Sequence, residues 1–290
     1  MKFYLGTHEA QWVSRRELAG VPLFISHERF TRNGERVSRY PAALTDWGQD
    51  SNGYFHLRKH GRWTFTPEQY AASTRRRMVE LGRMDFASQM DWMCESDALS
   101  ATGRTWQEHV RLTVENAVHL RRIAPDIPWM FVIQGVPEIY GSHEMCVRMF
   151  ADSGIDLTRE PHVGIGSVCR LQGTQMITDL FSRMRDIGIV NPHGFGVKTL
   201  GVKRIEDCDI GSSDSLAWST NGRRRGYVDR YGNDGRALPS CRHKTCANCI
   251  PWALRWLERF LLQNPNVTTP SVEFVHARRV ELGYTDNETE

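Results

Sequence analysis

Short apolar runs recur along this chain, each followed by a stretch with helical spacing, and that alternation restricts the fold more than any other feature. The strand candidates are KFYLG (2–6), VPLFIS (21–26), a segment near 44–50, FASQMDW (86–92), PWMFVIQG (128–135), HVGIGSV (162–168), HGFGVKTL (193–200) and DSLAWS (214–219). Several are almost unbroken apolar stretches, as expected of strands buried on both faces of a parallel sheet. Helical patterns lie between them. The run 66–82 opens on Thr66 as N-cap, with Pro67 in its first turn and Glu68 after it, and stops at Gly82. The run 105–124 repeats apolar positions at three- and four-residue steps, and further helices fit 138–152, 171–188 and 250–262. Eight strand candidates alternating with helices in 290 residues predict an α/β chain folded as a (β/α)8 TIM-like barrel. An open doubly wound sheet is the competitor, but no GxGxxG follows the first strand, which weakens a dinucleotide-binding version of it. The first two βα units are irregular, and the loop 29–46 between them is long.

At 40% hydrophobic and 24% charged residues, the chain can bury a sizeable core. Its 12 Pro and 24 Gly are dispersed, which excludes collagen-like and low-complexity readings. No apolar run approaches the length of a membrane span, and MKFYLGTHEAQW lacks the basic and apolar regions of a signal peptide. The expectation is a cytoplasmic protein with no membrane partner. Lys and Arg total 37 against 34 Asp and Glu, a formal charge of +3, mildly compatible with a polyanionic partner and far from a histone-like balance. Of the 7 cysteines, Cys94, Cys146, Cys169 and Cys208 stand apart, whereas Cys241, Cys246 and Cys249 crowd together. Cys241-x-His243-x2-Cys246-x2-Cys249 offers thiolate and imidazole ligands at zinc-knuckle spacing. Four protein ligands leave no open position, so the expected Zn2+ is structural. The expected organisation is a catalytic barrel over 1–235, then a C-terminal zinc knuckle, packing helix and tail over 236–290.

In a barrel of this kind, chemistry sits where strands end at their C-terminal edge. That edge carries Asp50, Asp91, Glu95, Gln134, Gly164, Gly166, Lys198 and Asp214. A single carboxylate after a strand is more often a helix N-cap than a catalyst, but several converging on one rim predict a site. Asp91 has a rival reading, as ion-pair partner of an arginine on the preceding helix. Trp92, Phe55 and Tyr54 are candidates to stack on a base, or plain core.

Taken together these segments resemble the queuine/archaeosine tRNA-guanine transglycosylase superfamily. DSNGYF (50–55) resembles its DSGGFQ-type loop, FVIQG (131–135) its substrate-reading VQG segment, and VGIGSV (163–168) its glycine-rich purine loop. GSSDSLAWS (211–219) is similar to its nucleophile segment and is followed, as there, by a basic stretch, NGRRR. PLFISHERF, DWMCE, GIGSVCR, HGFGVKTLG, DSLAWS and the CxHxxCxxC cluster resemble most closely the DpdA family, the DNA-directed branch that inserts 7-deazaguanines into DNA. The resemblance runs in order over roughly residues 2–262. Asn52 departs from it, standing where the family has Gly, and Asn is the residue other than Gly that best tolerates left-handed backbone.

The resemblance implies a base exchange at C1′ by double displacement through a covalent glycosyl-carboxylate. Asp214 would be the nucleophile and Asp50 the general acid/base. Asp91, Glu95, Gln134, Gly135, Gly164, Gly166 and Ser51 would bind the purine, carboxylates accepting from its amino and N1–H groups and amide donors serving O6. The target base must be flipped out or single-stranded. Arg223, Arg224 and Arg225 would hold phosphates, whereas Arg75, Arg76 and Arg77 read better as a solvated helix face. The related tRNA enzymes draw their last zinc ligand from a His about 25 residues beyond the cysteines, so His276 is an alternative to His243. The expected partners are DNA, a free 7-deazaguanine base of preQ0 type and accessory DNA-opening proteins, and the expected biological role is protection of phage or bacterial DNA from restriction. tRNA as substrate is the alternative; a zinc-knuckle nucleic-acid-binding protein without catalysis is a third reading, against which the pair Asp50 and Asp214 argues.

Overall fold

The computed structural model describes residues 1–32, 35–36, 40–171, 173–208, 210–224 and 245–284. The apolar runs form eight parallel strands: β1 (Lys2–Thr7), β2 (Leu23–Ser26), β3 (Trp47–Asp50), β4 (Met84–Ser88), β5 (Trp129–Ile133), β6 (Val163–Ile165), β7 (His193–Gly194) and β8 (Ser212–Ser215). Each pairs with its neighbours in chain order and β1 pairs with β8, closing the expected α/β TIM-like barrel. β5 is buried at every position, as its unbroken apolar run required.

Helices follow the later strands. Both α1 (Gly53–His60) and α2 (Pro67–Leu81) come after β3, α3 (Ser96–Thr102) and α4 (Trp106–Ile123) after β4, and α5 (Ser142–Asp152) after β5. Then come α6 (Gln175–Asp186), α7 (Thr199–Arg204), α8 (Ala217–Arg223), α9 (Ile250–Gln263) and α10 (Val272–Glu281). α2 begins in the capping box that Thr66 and Pro67 announced, closed by Gln69. α4 begins in another, in which Thr105 and Glu108 satisfy each other's backbone N–H groups. The irregularity at the start of the chain is real: β1 and β2 are followed by 3-10 turns, Ala10–Ser14 and Arg16–Leu18 after β1 and His27–Phe30 after β2.

Several strand candidates shift or shorten, the fourth to Met84–Ser88 and the sixth to Val163–Ile165. The seventh shrinks to His193–Gly194, because the backbone turns at Gly196 (φ 64°) and α7 opens at Thr199. The eighth shifts back to Ser212–Ser215, and the apolar residues 216–218 that suggested a strand enter α8 instead. Small polar residues make β8 a strand without an apolar signal, because Ser213 and Ser215 are buried between sheet and helices.

The barrel interior is filled by Tyr4, Phe24, Phe86 and Met130, with Phe195 above them. So many large side chains leave no room at two inward positions. A Cβ on Gly48 would lie 2.8 Å from the Phe86 ring, and one on Gly164 would lie 2.4 Å from Phe195. At the N-terminal end, Lys2 bridges Asp46 and Asp85, and the Tyr4 hydroxyl donates to Asp85.

Outside, α9 buries Trp252, Leu254, Trp256 and Leu257 against the barrel. Phe3 of β1 packs on Phe260 at 4.2 Å between ring centroids, and Phe260 stacks on Trp256. Trp252 Nε1 donates to the Trp218 carbonyl and Trp218 Nε1 to the Gly6 carbonyl, so two indoles tie α9 and α8 to β1. The described part of 236–290 thus shares one hydrophobic core with the barrel. Among the described residues no helix is long and apolar enough to cross a membrane.

Candidate active site

A pocket of about 460 Å³ opens at the C-terminal ends of the strands. Asp50, Asp91, Glu95, Gln134, Gly166 and Asp214, six of the residues singled out on the predicted rim, line it together. Its floor is aromatic, with Phe24 and Phe195 closing it from below.

Asp214 projects inward from β8. Its Oδ1 accepts from the Gly196 backbone N–H at 2.8 Å and from His193 Nε2 at 3.3 Å. His193 Nδ1 lies 2.9 Å from Ser212 Oγ. If Nε2 carries the proton, Nδ1 accepts from the Ser212 hydroxyl, and the chain Ser212–His193–Asp214 fixes the carboxylate. The turn at Gly196 thereby supplies one of the two donors.

Asp50 ends β3, and its Oδ2 accepts from Ser26 Oγ at 3.0 Å and from the Asn52 backbone N–H at 3.1 Å. Asn52 itself is left-handed, at φ 64°, a backbone that Asn tolerates where the family has Gly. Loss of water around the Asp50 carboxyl, and the negative charge of Asp214, push its pKa up to about 6, against the pull of its hydrogen bonds.

Asp91 is buried beyond β4. Its Oδ2 accepts from Gln134 Nε2 at 2.6 Å and its Oδ1 from Ser51 Oγ at 3.3 Å. Burial raises its pKa to about 7, and Asp50 and Glu95 add to the rise. The rival reading of Asp91 fails, because the arginines of α2 are committed elsewhere. Arg75 pairs with Asp126 and Arg76 with Glu80, while Arg77 is buried, donating to the Phe30 carbonyl and to Glu80. The solvated-face reading therefore holds for part of that triplet only.

Glu95 accepts from Ser167 Oγ at 3.1 Å, and burial raises its pKa as well. Ser167 Oγ also lies 2.8 Å from Gln134 Oε1. One wall of the pocket is thus a hydrogen-bonded set of two carboxyls, an amide and a hydroxyl. Gly166 is obligatory beside it, because a Cβ there would fall 2.2 Å from Gln134 Nε2.

The other predicted purine-binding residues stand behind this wall. Ser51 is buried and holds Asp91. A Cβ on Gly135 would meet His143 Nδ1 at 2.5 Å, so that glycine admits the start of α5, whose His143 reaches toward the Gly166 carbonyl. Gly164 faces Phe195 beneath the pocket. Of the aromatic candidates, Tyr54 and Phe55 line the pocket, whereas Trp92 is core, packed with Leu57 and Ala98. Arg223 and Arg224 are exposed at the end of α8, and Arg225 lies outside the described residues.

Sequence reasoning missed Ser26, Ser167, His193 and Gly196. Ser26 ends its strand just as Asp50 does, a position that could have been flagged. Ser167 lies inside GIGSV but at φ 57°, which nothing in its residue type announces.

The metal ligands are only partly within view, since Cys241 and His243 lie outside the described residues. Cys246 and Cys249 are both buried where α9 begins, joined by a turn in which the Cys249 N–H reaches the Cys246 carbonyl at 3.4 Å. Two thiols one tight turn apart suit a zinc knuckle. Among the described residues no group of three or more His, Cys, Asp or Glu is arranged to hold a metal. His276 Nδ1 is 2.6 Å from Glu258 Oε1, in an ion-pair set that also includes Arg279.

The profile of a protein family described as DpdA, DeoxyPurine in DNA protein A, matches residues 1–288. No curated protein matches the chain. Among solved structures the chain is similar to the YdjI aldolase from Escherichia coli K12, at 13% identity and a TM-score of 0.37, over 100% of this chain and 93% of that one. A likeness that faint has no bearing on chemistry here.

Proposed function

Because this chain belongs to the DpdA family, DeoxyPurine in DNA protein A, and so to proteins that modify DNA, we propose that it exchanges guanine in DNA for a 7-deazaguanine of preQ0 type. The reading is carried by one observation: Asp214 and Asp50 open into the same pocket as the acid and amide wall built from Asp91, Glu95 and Gln134.

In the first half-reaction an Asp214 oxygen attacks C1′ of the flipped nucleotide. The C1′–N9 bond breaks, its electron pair leaves with the purine, and the Asp50 carboxyl hands a proton to the departing base. A glycosyl ester on Asp214 remains. In the second half-reaction the incoming 7-deazaguanine gives its N9 proton to the Asp50 carboxylate, and N9 attacks C1′ from the face the guanine left. The ester C–O bond breaks, Asp214 is restored, and configuration is retained. An acid with its pKa at about 6 can give and take a proton near neutrality, as both halves require. Gln134 and Ser167 would orient the base, and a carboxyl of the same wall would accept from its amino group.

A zinc ion held by Cys241, His243, Cys246 and Cys249 would fasten the start of α9 and stand apart from the reaction. With such a site filled by protein ligands, its contribution is folding energy.

The test is label release. The full chain, incubated with guanine-labelled DNA or tRNA and free 7-deazaguanine, should release label from DNA only; loss from tRNA alone would transfer the chemistry to the tRNA substrate. Asp214→Ala should abolish exchange while DNA binding persists, and retained exchange would refute the assignment of the nucleophile.

A further inference from the structure

The two walls of the pocket differ in charge. On the β4–β6 side the cation at the rim, Arg170, is already committed to Asp97 and to the Tyr54 hydroxyl. On the opposite side β8, β1 and β2 are consecutive around the barrel. His8 follows β1, Arg29 sits in the turn His27–Phe30 after β2, and Arg223 closes α8 after β8. His8 and Arg29 line the pocket along with Asp214. Both arginines are exposed, and among the described residues neither guanidinium has a hydrogen-bond or ion-pair partner.

The three groups feel one another. The His8 imidazole is pushed down to about 4, first by burial and then by the charges of Arg29 and Arg223. Two guanidiniums with no ion-pair partner beside a cleft attract an anion toward it. A base seated against Asp91, Glu95 and Gln134, with C1′ at Asp214, would carry its sugar-phosphate toward this basic side.

We propose that His8, Arg29 and Arg223 form a phosphate site for the backbone linkage next to the nucleotide whose base enters the pocket. The site rests on the reading of the pocket as a nucleotide site and adds to it the groups that hold the flipped strand. The guanidinium forks suit paired phosphate oxygens, and neutral His8 can donate one ring N–H.

Binding of a single-stranded guanine-containing oligonucleotide to the full chain, followed by fluorescence anisotropy across a salt series, tests it. Each phosphate contact contributes about 0.7 to the slope of log K against log salt for single strands. Arg29→Gln and Arg223→Gln, which share one phosphate, should therefore each flatten the slope in part, and the double variant should flatten it by about 0.7. Arg75→Gln, whose guanidinium pairs with Asp126 on the outer face of α2, should leave the slope unchanged. One methylphosphonate beside the target guanine should weaken wild-type binding as much as the double variant does and add little to that variant. Inorganic phosphate at millimolar concentration should not compete. An unchanged slope in the double variant, additive effects of variant and methylphosphonate, or competition by free phosphate would overturn the proposal. Affinity for the free 7-deazaguanine base should be the same in Arg29→Gln as in wild type; loss of both affinities would mean a collapsed pocket and would also overturn it. An oligonucleotide bound with the expected slopes yet never exchanged would leave the phosphate site standing and refute the base-exchange reading alone.

Discussion

Replacing Asp91 by Asn should stabilise the protein at alkaline pH while crippling it. The unfolded carboxyl releases its proton near 3.8, but the folded chain holds that proton to about pH 7, because burial disfavours the charge. Between those values the folded state binds more protons than the unfolded one, so stability falls as pH rises and is flat above the folded pKa. From pH 5 to 7 the loss is roughly 2–3 kcal/mol from this one group, at about 1.36 kcal/mol per pH unit. An amide in its place would escape that loss. The amide carbonyl can accept from Gln134 Nε2, as Asp91 Oδ2 now does, and the amide NH2 can donate to Ser51 Oγ. Urea unfolding of both proteins at pH 5 and pH 8 measures the difference directly. The advantage of Asp91→Asn over wild type should grow by about 2–3 kcal/mol between pH 5 and pH 8, while exchange activity falls. A variant less stable than wild type at pH 8 would show that Asp91 is held ionised at a net gain, and the account of that wall would be wrong.

Ser26→Ala removes a hydrogen bond that lowers the Asp50 pKa, so the pH limb belonging to that carboxyl, near 6, should move up by about one unit in exchange-rate profiles; a limb that stays or falls would contradict the assignment. Gly166→Ala drives a methyl into the Gln134 amide and should break its 2.6 Å bond to Asp91. A charge-assisted bond contributes about 1.5–3 kcal/mol, so the KM for the free base should rise roughly ten- to a hundredfold and the melting temperature should fall. Elemental analysis should find about one zinc per chain, and chelation should lower the melting temperature; a metal-free protein of full stability would dispose of the knuckle.

The barrel was legible because strands buried on both sides need unbroken apolar runs, which β2 and β5 supply. β8 was misplaced because its outward positions are Ser213 and Ser215, small and polar where the pattern expects Val or Ile. That Asp50 and Asp214 open into one pocket was anticipated chiefly from the segments that resemble the transglycosylases, since Asp214 begins the predicted strand 214–219 and lies inside β8. What could not be read was the support: Ser26, Ser167 and the Ser212–His193 chain act through distances between strands far apart in sequence. Residue type also failed to separate wall from backing, since Gly135 and Gly166 look alike yet one admits a helix and the other lines the pocket.

The aromatic floor of Phe24, Phe86 and Phe195 makes the cavity a cul-de-sac. If the proposed base exchange takes place there, the departing and arriving heterocycles would have to pass the mouth of that pocket one after the other. Traffic through that mouth, more than any step at the sugar, is where such an architecture would slow down.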